Sequence, residues 1–277
     1  MKPETGYFSS FDQTKLFYRL WLKDVPTTIL IIHGFGEHSG RYSGFVRVLD
    51  ELPVSVIVHD LRGHGESEGP RVYTDHFDDF VKDVYRFKSF FEKTKKRSEG
   101  HRFILLGQSL GGLIASAAAL QDQGAWQNLI LLSPFFGVPH FEAVLKRLTA
   151  FLNPLAGHLI WANPIPPIFL THDNEVLRHY RTDSLIQRRI TIHLAHEMFC
   201  AIDQVVNRAC EMTLPVFLLA AGDDQIVSLE KTRTFFERVS SQEKTMREFD
   251  GFYHELIHEI DREKIFRELK EYLRKLL

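Results

Sequence analysis

The chain has 277 residues, 44% of them hydrophobic and 25% charged, with 34 Lys and Arg against 36 Asp and Glu. This length and balance suit one large α/β domain with an insertion better than two small domains, and a formal net charge of −2 excludes the broad basic field that nucleic acid would require. Two cysteines are too few for a disulfide framework, and no apolar leader or ~18-residue apolar run is found, so a cytoplasmic location without a membrane span is expected.

Gly6 to Asp24 reads as a β-hairpin, with strands Tyr7–Phe11 and Leu16–Trp21 joined by the polar turn Asp12-Gln13-Thr14. Apolar runs at Thr28–Ile32, Val54–Val58, Phe103–Leu106, Leu129–Leu132 and Pro215–Ala221 then alternate with helical patterns such as Phe77–Phe91. Runs that are apolar at nearly every position mark strands buried on both faces, so a mostly parallel central sheet flanked by helices is predicted. The stretch Lys93–Arg102, in which Glu99 interrupts the cations, reads as a solvated loop.

Between Ser133 and Leu214 about eighty residues pass without a core strand, too many for a loop in a compact domain. Pro154, Pro164, Pro166 and Pro167 break the early part, and helical patterns run from Asn174 to Met212. The segment reads as a helical cap inserted into the sheet domain, giving a core of residues 1–133 and 214–277 and a cap of 134–213. The alternative is an ordinary pair of packed helices covering the core, and many of the segment's aromatic side chains serve as core in either case.

Three segments carry chemistry. Gly107-Gln108-Ser109-Leu110-Gly111-Gly112 follows an apolar strand and opens an Ala-rich helix, the setting of a serine held at the tip of a strained strand-to-helix turn. A hydroxyl is a poor nucleophile at neutral pH, so Ser109 needs a histidine base and an acid that fixes the imidazole tautomer, both later in the chain. His254 follows the strand candidate Thr245–Phe249, and the acid is either Asp223 or Asp224 after the strand ending at Ala221. In the third segment, Ile31-Ile32-His33-Gly34-Phe35-Gly36, the Phe35 N–H is placed to join the Leu110 N–H on a developing oxyanion. His33 reads as a structural hydrogen-bonding residue beneath that loop, and the same caution covers His38, His59 and His64.

His254-Glu255-Leu256-Ile257-His258 also matches the H-E-x-x-H zinc pattern. Each of the two competing motifs is expected by chance only roughly 0.05 times in such a chain, so rarity does not choose between them. Asp261 and Lys264 stand where an extended zinc motif would need glycine and histidine, and few residues remain to supply a third ligand. That remainder reads as one helix with Ile257, Ile260, Phe266, Leu269 and Leu273 facing the core, and no metal is expected.

Taken together, His33–Tyr42 (HGFGEHSGRY), His59–Ser67 (HDLRGHGES), Gly107–Gly112 and His254-Glu255-Leu256 resemble α/β-hydrolases of the monoacylglycerol lipase and lysophospholipase type, over nearly the whole chain. Thr171-His172-Asp173 and Tyr180–Asp183 are similar to parts of the cap in these enzymes. The run Asp224-Gln225-Ile226-Val227 resembles their acid loop and favours Asp224 over Asp223. The resemblance implies an α/β-hydrolase fold and cofactor-free hydrolysis of a single-chain lipid ester through an acyl-enzyme. Ser109 is then nucleophile, His254 base, Asp224 its orienting acid, and Phe35 and Leu110 the oxyanion donors. Phe135, Phe136, Phe151 and Trp161 are candidate acyl-chain contacts, and an apolar cap could also touch a membrane surface. Arg188 and Arg189 are candidate phosphate contacts. Two other readings compete: a serine esterase or thioesterase for a small substrate, and a non-catalytic lipid-binding protein. Dependence on acyl chain length separates the first two.

Overall fold

The computed structural model describes residues 2–95, 100–162 and 165–277. Residues 96–99, within the stretch read as a solvated loop, and Asn163 and Pro164 lie outside the described residues. The chain begins with the antiparallel pair β1 (Glu4–Ser9) and β2 (Lys15–Trp21), followed by β3 (Thr27–Ile32), the short helix α1 (Ser43–Val48) and β4 (Ser55–His59). Helix α2 (Asp78–Thr94), β5 (Arg102–Gln108), α3 (Leu110–Gln121) and β6 (Asn128–Leu132) come next. After β6 the chain leaves the sheet through α4 (Glu142–Ala156), β7 (Ile160–Ala162), α5 (Asn174–Thr182), β8 (Arg189–Thr191) and α6 (Ile192–Asn207). It returns as β9 (Val216–Ala221), α7 (Leu229–Arg238), β10 (Lys244–Phe249) and α8 (Glu263–Leu276).

Eight strands form the main sheet in the order β1-β2-β4-β3-β5-β6-β9-β10. Only β2 runs against its neighbours; β4-β3-β5-β6-β9-β10 are parallel throughout. Alternate residues of each strand feed opposite faces. Leu30 and Ile32 join a core with α2, α3 and α6, whereas Ile29 and Ile31 join a second core with α1 and α8. Both faces being covered explains why these strands read as unbroken apolar runs. This is the α/β-hydrolase arrangement expected.

Three expectations change in detail, and a fourth, the stretch without a core strand, is refined. Ser10 and Phe11 fall outside β1, because the Ser10 hydroxyl donates to Asp83 and Phe11 lies under the Arg62 guanidinium, 4.9 Å from the ring centre. The proline-interrupted early part of the excursion holds a 15-residue helix, α4, which runs through Pro154. A proline so near the end removes only one donor of the last turn, and the helix stops two residues later. The excursion does contain two strands, β7 and β8, but they pair only with each other. The last helix begins at Glu263, so Ile257 lies in a 3-10 turn and Ile260 is 63% exposed rather than core-facing. Residues 250–262 are spent on the loop that brings His254 back over the sheet.

Cys200 and Cys210 are both free thiols. Among the described residues no helix is long and apolar enough to cross a membrane.

Candidate active site

Ser109 stands between the end of β5 and the start of α3 with φ 53° and ψ −121°, a conformation that few side chains tolerate. Its neighbours must be small. A Cβ on Gly107 would sit 2.2 Å from the Gly111 carbonyl oxygen, and one on Gly111 would sit 2.1 Å from the Ile32 carbonyl oxygen. Only hydrogen at these positions lets β3, β5 and α3 close around the turn. The turn is anchored by the Ser109 N–H donating to the Leu132 carbonyl and the Phe135 N–H donating to the Ser109 carbonyl, both at 3.0 Å. Leu110 is the first residue of α3, so its N–H belongs to the group with no partner inside the helix and points with the positive end of the dipole toward the serine.

His254 Nε2 lies 2.8 Å from Ser109 Oγ, and His254 Nδ1 lies 2.8 Å from Asp224 Oδ2. The other oxygen of Asp224 accepts the N–H groups of Ile226 at 2.8 Å and Val227 at 2.9 Å, which fixes the carboxylate plane. Asp223 is exposed, and of the two adjacent acids it is Asp224 that the structure brings to His254. Burial opposes charge on His254, but the Asp224 carboxylate and its hydrogen bond outweigh it, so the imidazole pKa is raised above 6.5.

Phe35, Leu110 and Ser109 border one cavity of about 330 Å³, whose wall is almost wholly apolar. The segment between β6 and β9 supplies much of its lining: Leu145 of α4, Ile165, Ile190 of β8, and Ala195, Met198 and Phe199 of α6. Phe135 is in that wall. Phe136 is not; it is fully buried and stacked on Phe235 with ring centres 4.0 Å apart, a core contact on the other side of the turn. Phe151 and Trp161 also fail to reach the cavity and are 69% and 61% exposed, because the face of α4 and β7 that carries them turns outward. Gln225 and Ile226, named in the sequence only as part of the acid loop, and the α6 side chains also line the cavity.

Ser109 also borders a smaller recess that shares Phe35, Ile165 and Ile226 with the cavity and adds the polar side chains of Glu37, Gln108, Tyr180, His254 and Glu255. Arg41 stands behind it, donating to Glu37 Oε2 at 2.9 Å and to both oxygens of Glu255 at 2.7 and 2.6 Å. Glu37 in turn accepts the Gly34 N–H at 2.6 Å and the Tyr42 hydroxyl at 2.9 Å. In the sequence Glu37 and Arg41 stood only as letters of the His33–Tyr42 motif, and Glu255 had been absorbed into the zinc pattern.

That pattern is not on one helix. His254 faces Ser109, Glu255 is bound to Arg41, and His258 Nε2 lies 3.3 Å from the Arg41 carbonyl. Among the described residues no group of three or more His, Cys, Asp or Glu side chains is arranged to hold a metal ion. His33 accepts the Leu61 N–H at 2.9 Å with Nε2 and sits 2.8 Å from the Gly34 carbonyl with Nδ1, supporting the loop from beneath. His38 pairs with Asp183 of the insertion at 2.9 Å, while His59 and His64 are fully buried. Asp173 caps α5, and Arg188 donates to the Tyr180 and Arg181 carbonyls that end it. Arg189 lies exposed on β8, so neither arginine lines the cavity or the recess.

The model of the family described as "Serine aminopeptidase, S33" matches residues 23–261. The monoglyceride lipase of Homo sapiens is 31% identical over 253 residues, which is 90% of this chain and 82% of that protein. The uncharacterized protein YnbC of Escherichia coli (strain K12) is 28% identical over 277 residues, 99% of this chain, and the chain spans only 47% of that relative's length. Among solved structures, the monoacylglycerol lipase of Paleococcus ferrophilus superimposes with a TM-score of 0.84 at 27% identity, covering 93% of this chain and 98% of that one.

Proposed function

The chain belongs to the α/β-hydrolase family described as "Serine aminopeptidase, S33", and from that premise we propose that it hydrolyses monoacylglycerol-type lipid esters through an acyl-enzyme on Ser109. The observation that carries this reading is the hydrogen-bonded line from Asp224 through His254 to Ser109, which ends at the wall of an apolar cavity. Residues 134–213 then act as a cap over a core of 1–133 and 214–277.

In the proposed reaction Ser109 Oγ attacks the ester carbonyl carbon while its proton passes to His254 Nε2. The Phe35 and Leu110 N–H groups hold the resulting oxyanion. His254 then gives its proton to the departing alkoxide, and glycerol leaves. A water molecule repeats the sequence on the acyl-enzyme, losing its proton to His254 and releasing the fatty acid. Asp224 keeps Nε2 as the acceptor and offsets the imidazolium charge. The acyl chain occupies the apolar cavity, gaining about 0.8 kcal/mol for each buried methylene.

The recess on the leaving-group side favours a neutral polyol over a phosphodiester. Its charged side chains besides His254 are the carboxylates Glu37 and Glu255, and the cation behind them is already held by both. An anionic head group there would meet like charge. An apolar cavity with few polar groups also argues against a small polar ester. The test is release of fatty acid from monoacylglycerols of increasing chain length and from matched lysophospholipids; a preference for short esters or for the phosphorylated lipid would overturn the reading.

The outer face supports a further part of the proposal, contact with a lipid surface. Phe141, Val144, Leu148, Phe151 and Leu155 of the α4 segment and Leu159, Ile160 and Trp161 of the β7 segment are all exposed apolar side chains. The same helix lines the acyl cavity with Leu145 and Thr149, so a bilayer meeting its outer face would lie beside the path of the chain.

A further inference from the structure

Two loops must keep their relative positions for the proposed reaction: residues 33–37, which carry the oxyanion donor Phe35, and residues 250–258, which carry the base His254. They are 217 residues apart in sequence at their starts and belong to different strands, β3 and β10. One side chain spans the gap. The Arg41 guanidinium holds Glu37 with Nη1 and Glu255 with both Nη1 and Nη2, and all three side chains are nearly sealed from solvent, at 10%, 3% and 6% exposure.

Each partner is tied directly to reacting machinery. Glu37 accepts the N–H of Gly34, the residue before Phe35. Glu255 is the residue after His254, and its own N–H donates to the Leu170 carbonyl in the insertion at 2.8 Å. Tyr180 of α5 lies over the guanidinium, 5.5 Å from ring centre to Cζ. Arginine suits this junction because its planar fork can meet two carboxylates at fixed angles, which a lysine ammonium cannot.

Resting on the reading of Ser109, His254 and Phe35 given above, we propose that Arg41 is a positioning residue of the reaction: it clamps the oxyanion loop to the histidine loop through Glu37 and Glu255. It also has an electrostatic consequence. The cluster holds two carboxylates and one guanidinium beside His254, and His258 Nδ1, 3.2 Å from Glu255 Oε2, is the other titratable group that faces it. Both Glu255 and Glu37 favour the imidazolium, after burial and Asp224 have had their larger effects. A purely structural ion pair would hold the fold; this one should also set where the base titrates.

The experiment uses the full chain with Arg41→Met, Arg41→Lys and Glu255→Gln, measuring kcat, KM, the rate of fluorophosphonate labelling and the pH profile of kcat/KM on a soluble long-chain ester. In Arg41→Met, kcat and labelling should fall by tenfold or more, on the order expected for a displaced reacting group, with KM within about threefold. Its acid limb should move to higher pH because two carboxylates lose their counter-charge. Glu255→Gln, whose amide keeps the shape of the carboxylate, should move the limb to lower pH by about one unit. Arg41→Lys should restore the wild-type limb but only part of kcat. If Arg41→Met does not fold, Arg41→Lys and Glu255→Gln decide through kcat and labelling, which must fall while KM holds. Unmoved limbs, or losses confined to KM, would overturn the clamp. Loss of labelling in Ser109→Ala with wild-type labelling intact would show that the underlying serine reading survives such a result.

Discussion

Asp224 Oδ2 meets His254 Nδ1 at 2.8 Å, while Asp223, its neighbour in sequence, is turned to solvent. Substituting Asp224 by Asn should therefore cost kcat about 10⁴-fold, the loss seen where such an acid no longer fixes the tautomer. Asp223→Asn should leave kcat within about twofold, since an exposed carboxylate lacks that contact. Steady-state turnover of one soluble ester by both variants checks the assignment.

The second expectation concerns pH and activity. Neutral His254 is the form that accepts the serine proton, and its pKa is raised above 6.5 because the Asp224 charge outweighs burial. The acid limb of kcat/KM should therefore have its midpoint above pH 6.5 in the wild type. A pH–rate profile with a midpoint below that value would contradict the account of the base.

Stability should also fall in acid, through His59 and His64. Burial, helped by the proximity of His33, pushes each of them down to about 3, so both are neutral in the fold. Unfolded chains protonate near pH 6.5; between there and about pH 3 the unfolded state binds more protons. Stability is thus full above pH 6.5 and is lost as pH falls, by up to about 1.4 kcal/mol per pH unit for each histidine. Among the described residues neither ring nitrogen of His59 has a hydrogen-bond partner, and its ring packs on Phe87 at 4.9 Å. His59→Phe should flatten the dependence of Tm on pH between 6.5 and 4, measured by thermal denaturation.

Two of the aromatic residues proposed from sequence as acyl contacts, and one residue of the cavity wall, should give three different effects. Phe136→Ala should destabilise by about 3–5 kcal/mol, as a large core truncation does, because the ring is fully buried on Phe235. Phe151→Ser should change Tm little, as surface substitutions do, yet weaken sedimentation with lipid vesicles. Ala195→Phe, which intrudes on the cavity wall, should lower kcat/KM for long acyl chains while sparing short ones. Tm, vesicle sedimentation and a chain-length series separate the three.

The sheet was legible because the central strands, sealed on both faces, carry apolar residues at almost every position, and helices must then flank them. The serine turn was legible because two close approaches, Gly107 to Gly111 and Gly111 to Ile32, exclude side chains at those places. What could not be read was direction. Phe135, Phe136 and Phe151 are the same residue type, and only the packing of α4 and the turn after β6 sends one to the cavity, one to the core and one to solvent. The role of Glu255 was hidden for a related reason. A motif of five residues gives no sign that a guanidinium 214 positions earlier folds onto it.

The central claim is tested most directly by titrating the chain with a fluorophosphonate probe, in wild type and Ser109→Ala, and following fatty-acid release from a long-chain monoacylglycerol. The account predicts stoichiometric labelling and release in the wild type and neither in the variant. Hydrolysis that persists in Ser109→Ala, or a wild type that does not label, would contradict it.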